Sequence, residues 1–283
     1  MSFSVENERS TVSKKQRRDI PRFTHPIIET HCHLDYLDDG DLKATLDRAG
    51  EVGVEKVITI AVSPDNLNKV VELVESDDRV WGTQGIHPHE AESYSPESAS
   101  VLSENLEHPR ILAVGEIGLD YFYDHADRAV QRRVFEQQLE LAAVRELPVV
   151  IHTRDADEDT KAILENYVSS LSAGGVIHSF TSGIALAEYC ISEGFCLGFN
   201  GITTFNSAEN VRDVVRITPL ENILLETDAP YLTPVPYRGR PNAPCYLPFI
   251  AETLAELKAI DIEELLRVAY QNSQRLFFSQ AAV

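Results

Sequence analysis

Histidines and carboxylates stand at the ends of several apolar segments of this sequence, where they could bind a metal ion. The first of these segments ends in His31-Cys32-His33. Alternate side chains of a strand point to the same side, so both imidazoles would face one way and Cys32 the other. Two converging imidazoles are ligands that Zn²⁺ and similar ions accept. A pair of hydrogen-bonded structural histidines would fit the same short pattern.

Four further residues of this kind follow later apolar segments. Glu116 comes directly after a buried run, and an ionised carboxylate there needs a metal or an arginine as its partner. His152, His178 and Asp228 end three other runs. A single histidine at the end of a strand more commonly has a structural role than a metal-binding one. Because His152 and His178 stand at equivalent ends of consecutive strands, metal binding becomes the better interpretation for this pair. Glu226, two residues before Asp228, would lie deeper and support the site.

The apolar segments alternate with amphipathic ones along the chain, and their nearly continuous apolar character is typical of strands buried on both faces. The predicted strands are Ile27–His31, Lys56–Val62, Val80–Ile86, Ile111–Gly115, Val149–His152, Gly175–His178, Phe195–Phe199 and Ile223–Thr227. The predicted helices are 41–52, 63–75, 95–107, 127–146, 160–171, 184–192, 208–217, 247–258 and 262–278. Ser63-Pro64 and Ser95-Pro96 each provide a helix N-cap followed by a proline at the first helical position.

Eight strands, each followed by a helix, predict an α/β fold of the (β/α)₈ TIM-barrel type, with a single domain over residues 26–283. A doubly wound sheet would instead carry a glycine-rich phosphate turn after its first strand, where this chain has HCHLD. Residues 1–25 are predicted to form a polar, basic tail, either a solvated extension or an arm that contacts phosphate. Its basic residues are Arg9, Lys14, Lys15, Arg17, Arg18 and Arg22.

The active sites of such barrels lie at the carboxyl ends of the strands, where all of these candidate ligands fall. Four histidines and two carboxylates suit two divalent ions, with one carboxylate bridging and positions left for water. The absence of cysteine from the set argues against a closed structural zinc site. Imidazole and carboxylate ligands admit Zn, Mn, Fe or Ni, and Mg less readily.

The chain of 283 residues is strongly acidic, since 25 Lys and Arg stand against 45 Asp and Glu and give a formal net charge of −20. This charge argues against a protein that grips nucleic acid through a basic surface, so phosphate binding would need metal ions. No apolar run reaches the ~18 residues that cross a bilayer. The four cysteines form no CxxC pair. We therefore expect a cytoplasmic protein with reduced thiols.

Several stretches together resemble the TatD-type metal-dependent deoxyribonucleases, a family of amidohydrolase-like barrels. They are ETHCHLD (29–35), GIHPH (85–89), VGEIGLDYF (114–122), VVIHTRDA (149–156), IHSFTSG (177–183), GFNGITTF (198–205) and LLETDAPYLTPVPYRGRPN (224–242). They follow in order over nearly the whole chain from residue 27 onward. The resemblance implies a (β/α)₈ fold and divalent-metal-dependent hydrolysis of phosphodiesters, most commonly as a 3′-to-5′ exonuclease on DNA.

The resemblance also implies roles for single residues. The ligands of one metal would be His31, His33 and Asp228, those of the second His152 and His178, and Glu116 would bridge the two. Asp228 could also accept a proton from the attacking water. His87 would lie near the substrate phosphate and donate a hydrogen bond to it.

Contacts to the substrate are less well defined by the resemblance. Arg154 and Arg238 would bind phosphate. Two departures from the family pattern concern the substrate: Asn206 stands where the family often has Lys, and Ala243 where it often has Glu. The loss of a lysine weakens the attraction for phosphate and puts the substrate preference in doubt.

The sequence therefore predicts a two-metal deoxyribonuclease that favours single-stranded or frayed DNA ends, because an acidic surface repels a long duplex. Bases could stack on Tyr121, Phe122 or Tyr231, although the core is an equally good place for these rings. The same site could instead hydrolyse another ester or amide, such as an aminoacyl-tRNA ester or a lactone. A non-catalytic role would require missing ligands. DNA is the expected partner, and nothing in the sequence indicates a membrane or an obligate protein partner.

Overall fold

The computed structural model describes residues 17–37 and 41–279. In this part of the chain, eight strands form one sheet in which each strand pairs in parallel with the next. The strands are β1 Ile27–Cys32, β2 Val54–Thr59, β3 Val80–Gln84, β4 Ile111–Asp120, β5 Val149–Arg154, β6 Gly175–Ile177, β7 Cys196–Phe199 and β8 Ile223–Leu225. The helices are α1 Leu42–Gly50, α2 Leu67–Ser76, α3 Pro96–Asn105, α4 Arg128–Arg145, α5 Asp157–Tyr167, α6 Ile184–Ser192, α7 Glu209–Ile217, α8 Leu247–Lys258 and α9 Ile262–Ser273.

The sheet curls until β8 meets β1, which nearly closes the barrel. The backbone amide of Asp228 donates to the carbonyl of His31 at 2.9 Å, and the amide of His33 donates to the carbonyl of Ala229 at 2.8 Å. Both bonds join the carboxyl ends of the two strands, so they also fix the position of the candidate ligands there. The predicted (β/α)₈ barrel is confirmed.

Apolar side chains fill the barrel on both sides of its sheet. Outward-facing residues of the strands pack against the helices in one large buried cluster. Inward-facing residues near the amino ends of the strands form a second cluster, which the C-terminal Phe277 and Phe278 help to close. The upper interior, by contrast, is lined by buried acids and histidines. The polar site therefore rests on an apolar floor.

Several predicted element boundaries are wrong, among them the start of the second helix and the end of the fourth strand. The second helix begins at Leu67, and Ser63-Pro64 belong to the turn before it, because the Asn66 side chain accepts the amides of Val62 and Ser63 at 2.9 and 3.1 Å. The fourth strand does not end at Gly115 but continues to Asp120. The predicted N-cap at Ser95 is confirmed, as it forms a capping box with Ser98.

Residues 17–25 of the predicted tail lie against the barrel, while Arg9, Lys14 and Lys15 lie outside the described residues. The amides of Thr24 and His25 donate to Glu263 at the start of α9, at 2.8 and 2.9 Å. The domain boundary at residue 25 stays a prediction. Within the ranges that the structure describes, no helix is long and apolar enough to span a bilayer.

Candidate metal centre

The end of β1 and a bulge within β4 bring the first candidate ligands into the mouth of the barrel. His31 lies in β1 and His33 directly follows it, and both face the interior, while Cys32 is buried on the other side, as predicted. On β4, Gly115 pairs with Val150 of β5 and Ile117 with Ile151, so Glu116 is an extra residue between two successive pairs. Such a bulge redirects a side chain, and here it carries the Glu116 carboxylate into the mouth.

The two carboxylate oxygens of Glu116 face different histidines. Oε2 lies 3.3 Å from Nε2 of His31. Oε1 lies 3.1 Å from Nδ1 of His152 and 3.1 Å from Nε2 of His178. It also lies 3.5 Å from Nε2 of His87. The carboxylate therefore stands between ligands contributed by four other strands and loops.

Asp228 completes the opposite wall of the site at the end of β8. Its Oδ1 lies 3.5 Å from Nε2 of His33 and 3.8 Å from Nε2 of His31. His178 stacks on His31 with 3.6 Å between ring centroids, so it borders this wall as well. In the described part of the chain, three sets of residues have ligand atoms within 4.8 Å of one another: His31, His178 and Asp228; His31, His33 and Glu116; and His87, Glu116 and His152.

Buried carboxylates lie behind two of the histidines, in a hydrogen bond with His152 and in a charge contact without a hydrogen bond with His178. Nε2 of His152 forms a hydrogen bond of 3.1 Å with Asp120 Oδ2, which leaves Nδ1 directed at Glu116. Nδ1 of His178 lies 3.3 Å from Glu226 Oε1, which leaves Nε2 directed at Glu116. A carboxylate on the far nitrogen is a common support of metal-binding histidines, because it orients the ring and makes it a better ligand.

The glycine at position 198 makes the second of these supports possible. A Cβ at Gly198 would lie 2.2 Å from Glu226 Oε2, so only glycine leaves room for the carboxylate on the neighbouring strand. Glu226 also accepts the amide of Ser179 at 2.6 Å. The structure therefore places Glu226 behind His178, in the deeper, supporting position that the sequence suggested.

The charges of the site shift the pKa values of its members in opposite directions. Burial would raise the pKa of Glu116, but the charges of His178, His87 and His31 hold it well below its usual value. Burial would lower the pKa of His178, yet Glu116 and Glu226 raise it well above its usual value. The carboxylates of the site thus create a strong preference for positive charge, which a divalent cation would satisfy.

Unpartnered buried nitrogens show that the residues fit a metal ion. Both ring nitrogens of His31 and Nδ1 of His33 are buried and make no hydrogen bond to any described residue. A buried polar atom without a partner costs about 1–3 kcal/mol, so a native protein seldom keeps several in one place. Coordination through Nε2 of His31 would remove part of that cost. The donor set of imidazoles and carboxylates suits Zn²⁺, Mn²⁺ and related ions.

Comparison with known proteins identifies the family. The model of the TatD related DNase family matches residues 28–278. The chain belongs to this family. It is 36% identical over 262 residues to the uncharacterized metal-dependent hydrolase YcfH of Escherichia coli, a match that covers 90% of this chain and 97% of that protein. It is 35% identical over 252 residues to the uncharacterized metal-dependent hydrolase YabD of Bacillus subtilis, with 89% and 98% covered.

A solved TatD structure has the same fold. The TatD homologue YjjV from Escherichia coli is 34% identical to this chain, with a TM-score of 0.84 over 89% of this chain and 97% of that one. The resemblance found in the sequence is thereby confirmed. This TatD protein is a hydrolase whose barrel mouth carries clusters able to bind metal.

The predicted substrate residues of this TatD protein lie around the mouth at different heights. Arg154 follows His152 on the same side of β5, and its guanidinium stacks 3.9 Å from the ring centre of Phe122. Arg238 lies in the loop after β8 and stacks 4.1 Å from the ring centre of Phe205. Neither guanidinium forms an ion pair with a carboxylate of the described residues. His87 lies deeper, within the set of potential ligands.

Sequence reasoning missed Asp120 and Glu29. Asp120 is 1% exposed, and its Oδ2 contacts His152 and lies 3.0 Å from Nε2 of His89. The sequence does not single it out, because the fourth strand that the apolar pattern predicts ends five residues earlier. Glu29 is fully buried, and its Oε1 accepts the amides of Thr227 and His31. Burial raises the pKa of Glu29 to about 8. Its position two residues before His31 on the same face of β1 was the available signal.

Proposed function

We propose that this TatD protein hydrolyses phosphodiester bonds at single-stranded or frayed DNA ends, with 3′-to-5′ polarity and two divalent metal ions. The observation that supports the two ions is the position of Glu116, whose two oxygens face separate histidines. The proposed ligands of the first ion are His31, His33 and Asp228, and those of the second are His152 and His178, with Glu116 between the two ions. Zn, Mn, Mg, Ni or Fe could serve, and the share of imidazole disfavours Mg.

Bound divalent ions would supply positive charge for the phosphate and lower the pKa of a coordinated water. The residues of the chain would supply the remaining functions. The carboxylate of Asp228 is the more exposed of the two acidic ligands, with 13% of its side chain accessible against 3% for Glu116. Burial would raise the pKa of Asp228, but His33 and His178 lower it, so the carboxylate stays ionised. It is therefore the group placed to accept a proton at the mouth.

His87 is suited to donate a hydrogen bond to the substrate. Its Nδ1 accepts the backbone amide of His89 at 3.1 Å, so a neutral ring carries its proton on Nε2, the atom that faces the site. Burial, with smaller contributions from neighbouring histidines, lowers the pKa of His87 well below its usual value and keeps the ring neutral. A nitrogen that carries a proton cannot ligate a metal, which favours the role of donor to a phosphate oxygen.

Exposed aromatic rings beside the mouth favour unpaired bases as part of the substrate. Phe122 is 54% exposed and Tyr231 is 53% exposed, on loops that follow β4 and β8. Rings that remain this accessible can stack on bases without regard to sequence. Tyr121 is less suited, because its hydroxyl donates to Asp159 at 2.6 Å. The net charge of −20 also favours a strand end over a long duplex groove.

A comparison of substrates tests this proposal. Protein purified without chelator would be assayed on DNA labelled at its 3′ or 5′ end, on blunt duplex, on RNA, on aminoacyl-tRNA and on a lactone. We expect metal-dependent loss of the 3′ label from single strands, with blunt duplex cleaved more slowly. Faster cleavage of the blunt duplex would contradict the preference for single strands. Hydrolysis of only the aminoacyl ester or the lactone would overturn the nuclease assignment and leave the metal site intact.

We also propose a cytoplasmic location. Cys32, Cys190 and Cys196 are free thiols in the structure, and all four cysteines are buried, with Cys32 and Cys190 fully inaccessible. Free thiols in such number fit a reducing compartment. Fractionation of the native cells would test the location, and recovery in an oxidising compartment would contradict it.

A further inference from the structure

The segment before β1 makes contacts that the family relationship does not account for. The family match begins at residue 28, so residues 17–25 lie outside it. These residues nevertheless run along the outside of the barrel from the loop after β8 to the start of α9. We call residues 17–25 the strap, and residues 229–243 the β8 loop.

The upper end of the strap is bonded to the β8 loop in both directions. The Nε of Arg17 donates to the carbonyl of Pro236 at 3.0 Å, and its guanidinium lies 5.5 Å from the ring centre of Tyr237. In return, the Tyr237 hydroxyl donates to the carbonyl of Arg18 at 3.1 Å. These contacts attach Pro236 and Tyr237, the two residues that directly precede Arg238, to the strap.

The rest of the strap is attached to the helices, so it forms a fixed support for the loop. The guanidinium of Arg18 lies 5.0 Å from the ring centre of Phe249 on α8 and pairs with Glu252 one turn further on. At the lower end, Thr24 and His25 are bonded to Glu263. An element attached at both ends restricts the motion of what it contacts.

The β8 loop carries a positive group, Arg238, directly after the two residues that the strap contacts. Arg238 stacks on Phe205 from one side, while Tyr237 packs against Tyr246 and Phe249 on the other, with ring centres 4.7 and 5.6 Å apart. Arg238 itself is exposed. An exposed arginine on a mobile loop loses conformational entropy when it binds an anion, and this loss weakens binding. The loss is smaller when the loop is already restrained.

We infer that the strap positions the β8 loop, and with it Arg238, for an anionic substrate. Arg17 and Tyr237 are the positioning residues, since they act through the loop and not on the substrate. The substrate part of this inference rests on the proposed function. The structural part, which states that the strap restrains the β8 loop, is independent of the proposed function.

Hydrogen exchange of the full-length protein tests the structural part. Arg17→Ala removes the contact with the loop. Arg22→Ala removes the same charge from the same strap, but Arg22 lies 3.5 Å from Glu51, away from the loop. We expect amides of residues 232–242 to exchange at least about threefold faster in Arg17→Ala than in wild type, and at the wild-type rate in Arg22→Ala. Equal exchange rates in all three proteins would overturn the inference that the strap restrains the β8 loop.

Kinetics on a single-stranded oligonucleotide test the substrate part. Loss of one positioning hydrogen bond should raise KM about three- to tenfold in Arg17→Ala with kcat nearly unchanged. Tyr237→Phe, which keeps the ring, should give a smaller increase, and Arg22→Ala none. Equal increases in Arg17→Ala and Arg22→Ala would overturn positioning in favour of simple charge attraction. If wild type does not cleave the oligonucleotide, the proposed function fails while hydrogen exchange still decides the strap.

Discussion

At the level of single residues, the site is a set of histidines held between two layers of carboxylates. Glu116 and Asp228 face the mouth, and Asp120 and Glu226 stand behind His152 and His178. Glu116 and Asp228, the inner layer, could ligate ions directly. Asp120 and Glu226, the outer layer, orient the imidazole rings. This division of roles gives different expectations for mutations in the two layers.

Glu116→Gln keeps the shape of the side chain and removes its charge. We expect it to lose bound metal and to lower hydrolysis by about 100-fold or more, because a neutral amide is a poor bridge between cations. Metal content and kcat on the same preparation provide the measurement. Glu104→Gln on the exposed face of α3 is the matched control. Near-normal metal-dependent hydrolysis by Glu116→Gln would contradict the bridging role.

Asp120→Asn tests the outer layer. The Asn oxygen can still accept the amides of Phe122 and Tyr123, which Asp120 Oδ1 accepts at 3.0 and 2.9 Å, so the loop should keep its fold. The loss of charge behind His152 should weaken metal affinity about 10- to 100-fold. Metal titration followed by calorimetry measures this change. Unchanged affinity would show that Asp120 only supports the loop.

At the level of elements, the bulge and the glycines of β4 decide how the site is built. Gly118 has φ +140°, and a Cβ there would lie 1.9 Å from the carbonyl oxygen of His152. The close approach of β4 and β5 therefore depends on this glycine. It brings His152 into reach of both Glu116 and Asp120.

Gly118→Ala should destabilise the protein by about 3 kcal/mol or more, since both the backbone and the clash oppose a side chain. Gly50→Ala is the control, because nothing lies within 4 Å of that position. For Gly50→Ala we expect the free energy of unfolding not to fall and to rise by up to about 1 kcal/mol from helix propensity. Urea unfolding midpoints give the comparison. Equal midpoints for the two variants would contradict the described packing of β4 on β5.

The sequence predicted the number and order of the strands, since apolar runs buried on both faces are distinctive. It also predicted that His31, His33, His152, His178 and Asp228 lie near the carboxyl ends of those strands, because chemistry-bearing side chains there interrupt the apolar pattern. It did not predict the bulge at Glu116 or the extension of β4 to Asp120, which depend on pairing with β5. Asp120 was missed for that reason. Likewise, the contacts of Arg17 with the β8 loop join residues that are far apart in the chain.

At the level of the whole molecule, an acidic barrel concentrates its functional groups at one end and keeps its thiols inside. Burial raises the pKa of Cys190 to about 12 and that of Cys196 to about 11. Because the thiolate is the reactive form, both should be inert in the folded protein.

The native protein should therefore react slowly with a thiol reagent such as Ellman's reagent at pH 8, and raising the pH to 9 should change little. Unfolding in urea should release all four thiols. The number of thiols titrated before and after unfolding checks this expectation. Rapid reaction of one or more thiols in the folded state would contradict the burial described for the cysteines.

We propose that residues in or directly after five strands hold divalent ions in the mouth of the barrel. The most direct measurement is the metal content of protein purified without chelator, made together with its hydrolytic activity before and after metal removal. We expect about two divalent ions per chain, with activity that disappears on removal and returns when metal is restored. Full activity in protein that contains no more than trace metal would contradict the account.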